Sequence, residues 1–145
     1  MGFGVSGSTA IIFLGVLVAT GSLYTATSNA SENVLEAQDA DAERALERTN
    51  TDIAVTNATY DANNTTLTVN LTNVGSETLS VSETTLLVDN AYVDVPPANA
   101  TVDGDAATDL WYAGENLSLV VDADPTPARV KVVTGSGVAA TEVVS

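Results

Sequence analysis

Thr65–Asn73 reads TTLTVNLTN, and its strict alternation decides the fold class. Leu67, Val69 and Leu71 point to one side of a strand, while Thr68, Asn70 and Thr72 point to the other. The same two-residue period recurs along the chain. Upstream it appears at Ile53 and Val55. Downstream it appears at Leu79 and Val81, in the more apolar TTLLVDNAYVDV, and at Leu117, Leu119 and Val121. Val130 and Val132 alternate with Arg129 and Lys131, and a last strand is read from Val138 to Val144. Turn signals separate these runs: Asn63-Asn64, Asn73-Val74-Gly75, Asp89-Asn90, Pro96-Pro97, Asp103-Gly104, Gly114, Pro125 to Pro127, and Gly135 to Gly137. Six to eight short strands in residues 51–145 predict an all-β immunoglobulin-like sandwich without the disulfide of that fold.

Ahead of the sandwich the pattern changes twice. Residues 1–30, MGFGVSGSTAIIFLGVLVATGSLYTATSNA, contain no Asp, Glu, Lys or Arg. A bilayer core of roughly 30 Å needs about 20 helical residues, so residues 1–28 are predicted to be a transmembrane anchor. Gly, Ser and Thr complete the span, and Gly15, Thr20, Gly21 and Ser22 are the candidate helix-contact positions. Tyr24 sits where an interfacial aromatic belongs. A secretory signal would place basic residues before the apolar run, and a pilin-type precursor would place a basic residue and Gly there; neither pattern precedes the run. Gly2 and Ser6 also match the short myristoylation pattern. The expectation is an uncleaved, single-pass anchor with its N-terminus in the cytoplasm and the C-terminal domain outside.

Residues 29–50 are predicted to form a helical stalk. SENVLEAQDADAERALER is rich in helix formers and has no Gly or Pro. Leu35, Asp39, Ala42 and Leu46 mark a thin stripe, which suits either a solvated extension or a short dimerising stalk.

Formal net charge is −15, from 19 acidic residues against Arg44, Arg48, Arg129 and Lys131. Such a surface repels nucleic acid, so no nucleic-acid partner is expected. The acidity also suits molar salt, where the Debye length shrinks to roughly 3 Å and self-repulsion is screened; a halophile is expected. With no Cys and no His, the chain lacks thiolate chemistry, the commonest general base and the commonest zinc ligand. No catalytic residue, metal or cofactor is assigned. Asp103, Asp105 and Asp109, and again Asp122 and Asp124, lie close in sequence. They lack the spacing and terminal Glu of an EF-hand.

Two further features bear on partners. Seven Asn-x-Ser/Thr triplets begin at Asn29, Asn57, Asn63, Asn64, Asn70, Asn99 and Asn116, where chance placement would give roughly 2.4. These are the candidate glycosylation sites. Trp111 and Tyr112 form the largest aromatic pair and are candidate partner-binding residues, with a sandwich-core reading standing beside it for Trp111.

Taken together, MGFGVSGSTAIIFLGVLVATGSLYTAT, the acidic helical stretch and LTVNLTNVGSETLSV resemble the FlaF-type accessory proteins of the haloarchaeal archaellum. The resemblance spans the whole chain, and the N-terminal block is its most specific part. It implies a membrane-anchored, outward-facing β-sandwich that binds the surface-layer (S-layer) glycoprotein. It also implies a stator role, holding the motor stationary together with a FlaG-type protein and motor membrane components; a homodimer is expected as well. The competing reading is a generic surface-anchored adhesion or glycan-binding module with no link to a motor.

Overall fold

A computed structural model describes residues Phe3–Ser145. Met1 and Gly2, on which the processing and myristoylation readings fall, lie outside the described residues. The described chain is one long helix, α1 (Phe3–Asn50), followed by ten strands and a single 3₁₀ turn at Pro97–Asn99. It divides into two compact units, one running through Glu43 and one spanning Arg44–Ser145.

The first unit is helical throughout its described length. Its hydroxyls turn back on the helix: Ser8 donates to the Gly4 carbonyl, Thr20 to Val16, Thr25 to Gly21 and Thr27 to Leu23. This back-bonding satisfies polar side chains on a helix whose apolar residues Ile11 to Val18 are all exposed. The helix is long and apolar enough to cross a membrane, with a mean window hydropathy of 1.8.

The second unit begins with the last turns of α1 and carries the sandwich. One sheet runs β1 (Ile53–Asp61), β2 (Thr66–Asn73), β8 (Asn116–Asp122), β6 (Ala100–Val102). The other runs β10 (Ala139–Val143), β9 (Arg129–Val133), β4 (Thr85–Val88), β5 (Ala91–Val93). β3 (Leu79–Ser80) and β7 (Leu110–Trp111) form a small third pair, and every pairing is antiparallel. The alternation read from the sequence is the packing. Leu67, Val69 and Leu71 of β2, Leu117, Leu119 and Val121 of β8, and Val130 and Val132 of β9 are all buried in one core. The Asp89-Asn90 signal becomes a two-residue hairpin joining β4 to β5, with φ of 50° and 69°. Both angles lie in the left-handed region that such a hairpin requires.

Ten strands replace the six to eight expected. The additions are β6 and β7, of three and two residues and too short to display a period, and the division of TTLLVDNAYVDV into β4 and β5.

The two flanks of the sandwich differ. On the β1 side, Ser145 N–H donates to the Ala58 carbonyl at 2.9 Å and Tyr60 N–H to the Ser145 carbonyl at 3.1 Å. These bonds stitch the chain end to the edge of the opposite sheet. On the other side, β5 and β6 are both sheet edges, each paired with one neighbour only.

The end of α1 is held by backbone. The Asn50 carbonyl accepts from Ser76 N–H at 2.9 Å and Glu77 N–H at 3.2 Å. The Asp52 carbonyl accepts from Val74 N–H at 3.0 Å and Gly75 N–H at 2.9 Å. Arg48 Nε donates to the Ser136 carbonyl at 2.8 Å. The Ser76 and Glu77 N–H groups thus complete the Asn50 carbonyl, one of those a helix end otherwise leaves unpaired, and the other bonds fix the chain on either side of it. A Cβ on Gly75 would stand 2.5 Å from both the Asn50 oxygen and the Asp52 nitrogen. This position therefore admits only glycine at the present spacing.

Candidate functional site

Trp111 is fully enclosed, and its indole N–H donates to the Glu115 carbonyl at 2.8 Å. Its partner in the sequence, Tyr112, is half exposed. The aromatic pair thus splits, with Trp111 in the core and Tyr112 alone offering surface.

Beside Trp111 lies a residue that the sequence marked only as a turn. Asn73 ends β2 on the inward side and is fully buried. Its Nδ2 donates to the Glu77 carbonyl at 2.8 Å and to the Trp111 carbonyl at 3.1 Å, and its Oδ1 accepts from Gly75 N–H at 3.1 Å. A buried carboxamide is tolerable only when its donors and acceptor are met, and here they are. One side chain thereby ties β2, the 74–77 loop that holds the helix end, and β7.

At the open flank a cleft of about 330 Å³ lies among Val81, Tyr92, Val95, Ala100 and Leu119, with Asp94 and Asp109 also lining it and no Lys or Arg. Asp109 accepts from Ser80 Oγ at 2.7 Å, Ser82 N–H at 2.7 Å and Ser82 Oγ at 3.1 Å. The Ser80 hydroxyl, followed by the Ser82 backbone, holds this carboxyl below the usual range. Asp61 is lowered in the same direction, first by the Asn63 backbone N–H and then by the Asn64 side chain. Asp103 accepts from Asn116 N–H and Nδ2, and Asp105 from Ala107 N–H. Both carboxylates are thus occupied with turn geometry. Among the described residues no group of three or more acidic side chains could hold a metal.

The outer faces of the two sheets carry different chemistry. Across the first, the register aligns Asn57, Asn70, Ser118 and Thr101 in one row, with Thr59, Thr68 and Val120 in the next. Across the second, it aligns Tyr92, Leu87, Lys131 and Thr141. The neighbouring row holds Arg129 against Val143. Tyr92 is 67% and Val143 69% exposed, and Leu87 and Val133 are partly so. Two of the four cations thus share a face with open apolar side chains. The sequence showed Arg129 and Lys131 only as the outward residues of a strand, because which residues lie beside them depends on long-range pairing.

Of the seven sequons, Asn63 and Asn64 donate their amides to Asp61, and Asn116 donates to Asp103. Asn57 accepts from Thr59 Oγ1 at 3.0 Å. Among the described residues the side-chain amides of Asn57, Asn70 and Asn99 donate to no other group. Asn29 lies on α1. Gly15 and Ser22, seven residues apart, share one face of that helix to within about 20°; Thr20 and Gly21 fall elsewhere on its circumference.

Helix and sandwich together define a class: a β domain carried on an N-terminal apolar helix. The sequence pattern of the archaeal-type flagellin family matches residues 2–144, covering both parts, and the chain belongs to that family. Among solved structures, the chain is similar to the archaellum periplasmic stator protein FlaG from Sulfolobus acidocaldarius. Identity is 17% and the TM-score 0.46, over 63% of this chain and 97% of that one. It is also similar to a chain of the stator complex of FlaF and FlaG from the same organism. Here identity is 16% and the TM-score 0.44, over 62% of this chain and 85% of the other. No curated protein matches.

Proposed function

We propose that this chain is a membrane-anchored structural protein of the archaellum, binding rather than catalytic. Its helix spans the membrane with the N-terminus in the cytoplasm, and its β-sandwich works outside the cell. There the sandwich binds the S-layer glycoprotein and braces the motor as a stator, in company with a FlaG-type protein. The observation that carries this reading is the family match across helix and sandwich alike. It ties the membrane segment and the outer domain to one archaellum-related architecture. A formal net charge of −15, whose self-repulsion molar salt would screen, is consistent with the same setting. Glycans at Asn57, Asn70 and Asn99, whose amides are open, belong to this outward reading.

The test is retention of full-length, detergent-solubilised protein by immobilised S-layer glycoprotein in molar salt, paired with swimming assays of a strain lacking residues 51–145. Binding with loss of swimming supports the stator role. Swimming that survives deletion of the sandwich refutes it.

The family's own description favours a second reading, a subunit of the filament itself. Purified filaments containing this chain in stoichiometric amount would establish that reading in place of the first.

A further inference from the structure

Two amphipathic surfaces of this chain stand uncovered, and their chemistry is complementary. The first is on the helix. About 100° of rotation per residue places Glu32, Glu36 and Glu43 beside Leu35, Asp39 and Ala42 on one side of α1. Arg44 and Arg48 fall on the opposite side. Leu35 is 60% exposed, and the carboxylates next to it are open. The second surface is the outer face of the β10-β9-β4-β5 sheet, with Tyr92, Leu87 and Val143 around Lys131 and Arg129. Arg129 reaches Asn90 through Nη2 at 3.2 Å. Lys131 has no hydrogen-bond or ion-pair partner among the described residues, in a chain with 19 carboxylates.

We propose that this sheet face is the docking surface for the acidic helical segment, residues 32–43, of a second copy of the chain. The inference rests on the proposed membrane-anchored outer sandwich and on the homodimer expected from the sequence, and it specifies the interface of that dimer. A helix laid on a sheet face is a standard layer arrangement, in which each element covers the other's apolar strip. Here Leu35 and Ala42 meet Tyr92, Leu87 and Val143, while Glu36, Asp39 and Glu43 face Lys131 and Arg129. Opposite charge selects this pairing over sheet against sheet, which would bring cations together. At molar salt only charges in near contact still attract, so the pairing demands close register rather than long-range steering.

Four strands about 4.8 Å apart and five residues of about 3.4 Å each give a face of roughly 300 Å². That is below the roughly 800 Å² per partner of a stable interface, so the contact is weak in free solution. Copies confined to one membrane meet at high effective concentration, where a weak contact suffices.

The chain has no Cys, which makes cysteine pairing a clean test. Lys131→Cys is purified in one preparation. Glu36→Cys, Asp39→Cys, Glu43→Cys and Ala37→Cys are each purified in others, all as full-length chains in detergent. Each is then reconstituted with Lys131→Cys into shared lipid vesicles and mildly oxidised, and association of the chains within the bilayer is measured alongside. Disulfide formation requires Cα atoms about 4.4–6.8 Å apart. Heterodisulfides at 36, 39 or 43, at least fivefold above those at 37 on the far side of the helix, are expected. Lys131→Glu should weaken dimerisation about tenfold, and Glu36→Lys with Glu43→Lys should recover it. Equal crosslinking at all four positions, or none with a dimer still present, overturns this interface and leaves the homodimer standing. A chain that stays monomeric overturns both.

Discussion

Asn73 should be the polar residue on which the sandwich most depends. Asn73→Ala removes two donors and one acceptor from a fully buried position. The Gly75 N–H keeps a second acceptor, the Asp52 carbonyl, so the larger loss falls on the Glu77 and Trp111 carbonyls. At about 1 kcal/mol net for each bond, and more for an acceptor left dry, the cost is about 2–4 kcal/mol. In a domain of this size that lowers Tm by about 10–25 °C. Asn73→Asp sharpens the test, because it keeps the shape and exchanges both amide donors for carboxylate oxygen. Ionised, it would face two carbonyls without a partner, a burial costing several kcal/mol. Its folded pKa is therefore raised above the unfolded value of about 3.9. With a raised folded pKa the native state holds the proton longer than the unfolded chain does. Stability relative to the parent then falls as pH rises above about 4 and recovers toward acid, where the protonated side chain regains one donor. Trp111 is the only tryptophan and lies against Asn73, so its emission reports the transition directly in urea titrations at molar salt. A loss under 1 kcal/mol for Asn73→Ala, or an Asn73→Asp deficit that does not change with pH, would refute the role assigned to this carboxamide.

Gly75→Ala should cost about 2–4 kcal/mol by overpacking and by straining the four bonds to Asn50 and Asp52. Gly104→Ala, which has a φ of 89° and open space around it, should cost only about 1–2 kcal/mol; equal denaturation midpoints for the two variants would contradict this. Asp109→Ala should lower the urea midpoint at pH 7. A carboxyl whose folded pKa is depressed contributes above its unfolded value of about 3.9 and loses that contribution as pH falls through the folded value. The two midpoints should therefore converge toward pH 3, and a gap that widens in acid would exclude the Ser80 and Ser82 contacts as its source. Glycopeptide mass spectrometry should find sugar at one or more of Asn57, Asn70 and Asn99; unmodified peptides at all three would remove the glycan reading.

How much of this was legible in the sequence depended on range. Leu67-Val69-Leu71 and Leu117-Leu119-Val121 announced their strands because a period of two is a local property. Asp89-Asn90 announced its hairpin because both residues tolerate positive φ. The helix needed only composition. What escaped was set by partners far along the chain. Asn73 looked like a turn residue because its burial depends on Trp111, 38 positions away. Trp111 itself was read both as core and as a binding residue, since one residue on a two-residue strand shows no face. The row joining Tyr92 to Lys131 and Thr141 exists only through the register of β4, β5, β9 and β10.

The placement of charge says where partners can dock. Asp89, Asp94, Asp103, Asp105, Asp109 and Asp124 all sit in turns or loops, and Asp61 and Asp122 at strand ends. The middle rows of both outer sheet faces hold no carboxylate: one presents Asn, Ser and Thr, the other Tyr92, Leu87, Lys131 and Thr141. A chain of net charge −15 that spread its acids only for solubility would cover its broad faces as well as its loops. Keeping those faces clear avoids two costs of docking there, the desolvation of carboxylates and repulsion from an acidic neighbour. Glycan on the amide-rich face would leave the apolar, cationic face as the protein-binding one. Loss of partner binding on Tyr92→Ser, with binding unchanged when Thr68 and Ser118 are both replaced by Ala, is the result that division of labour requires.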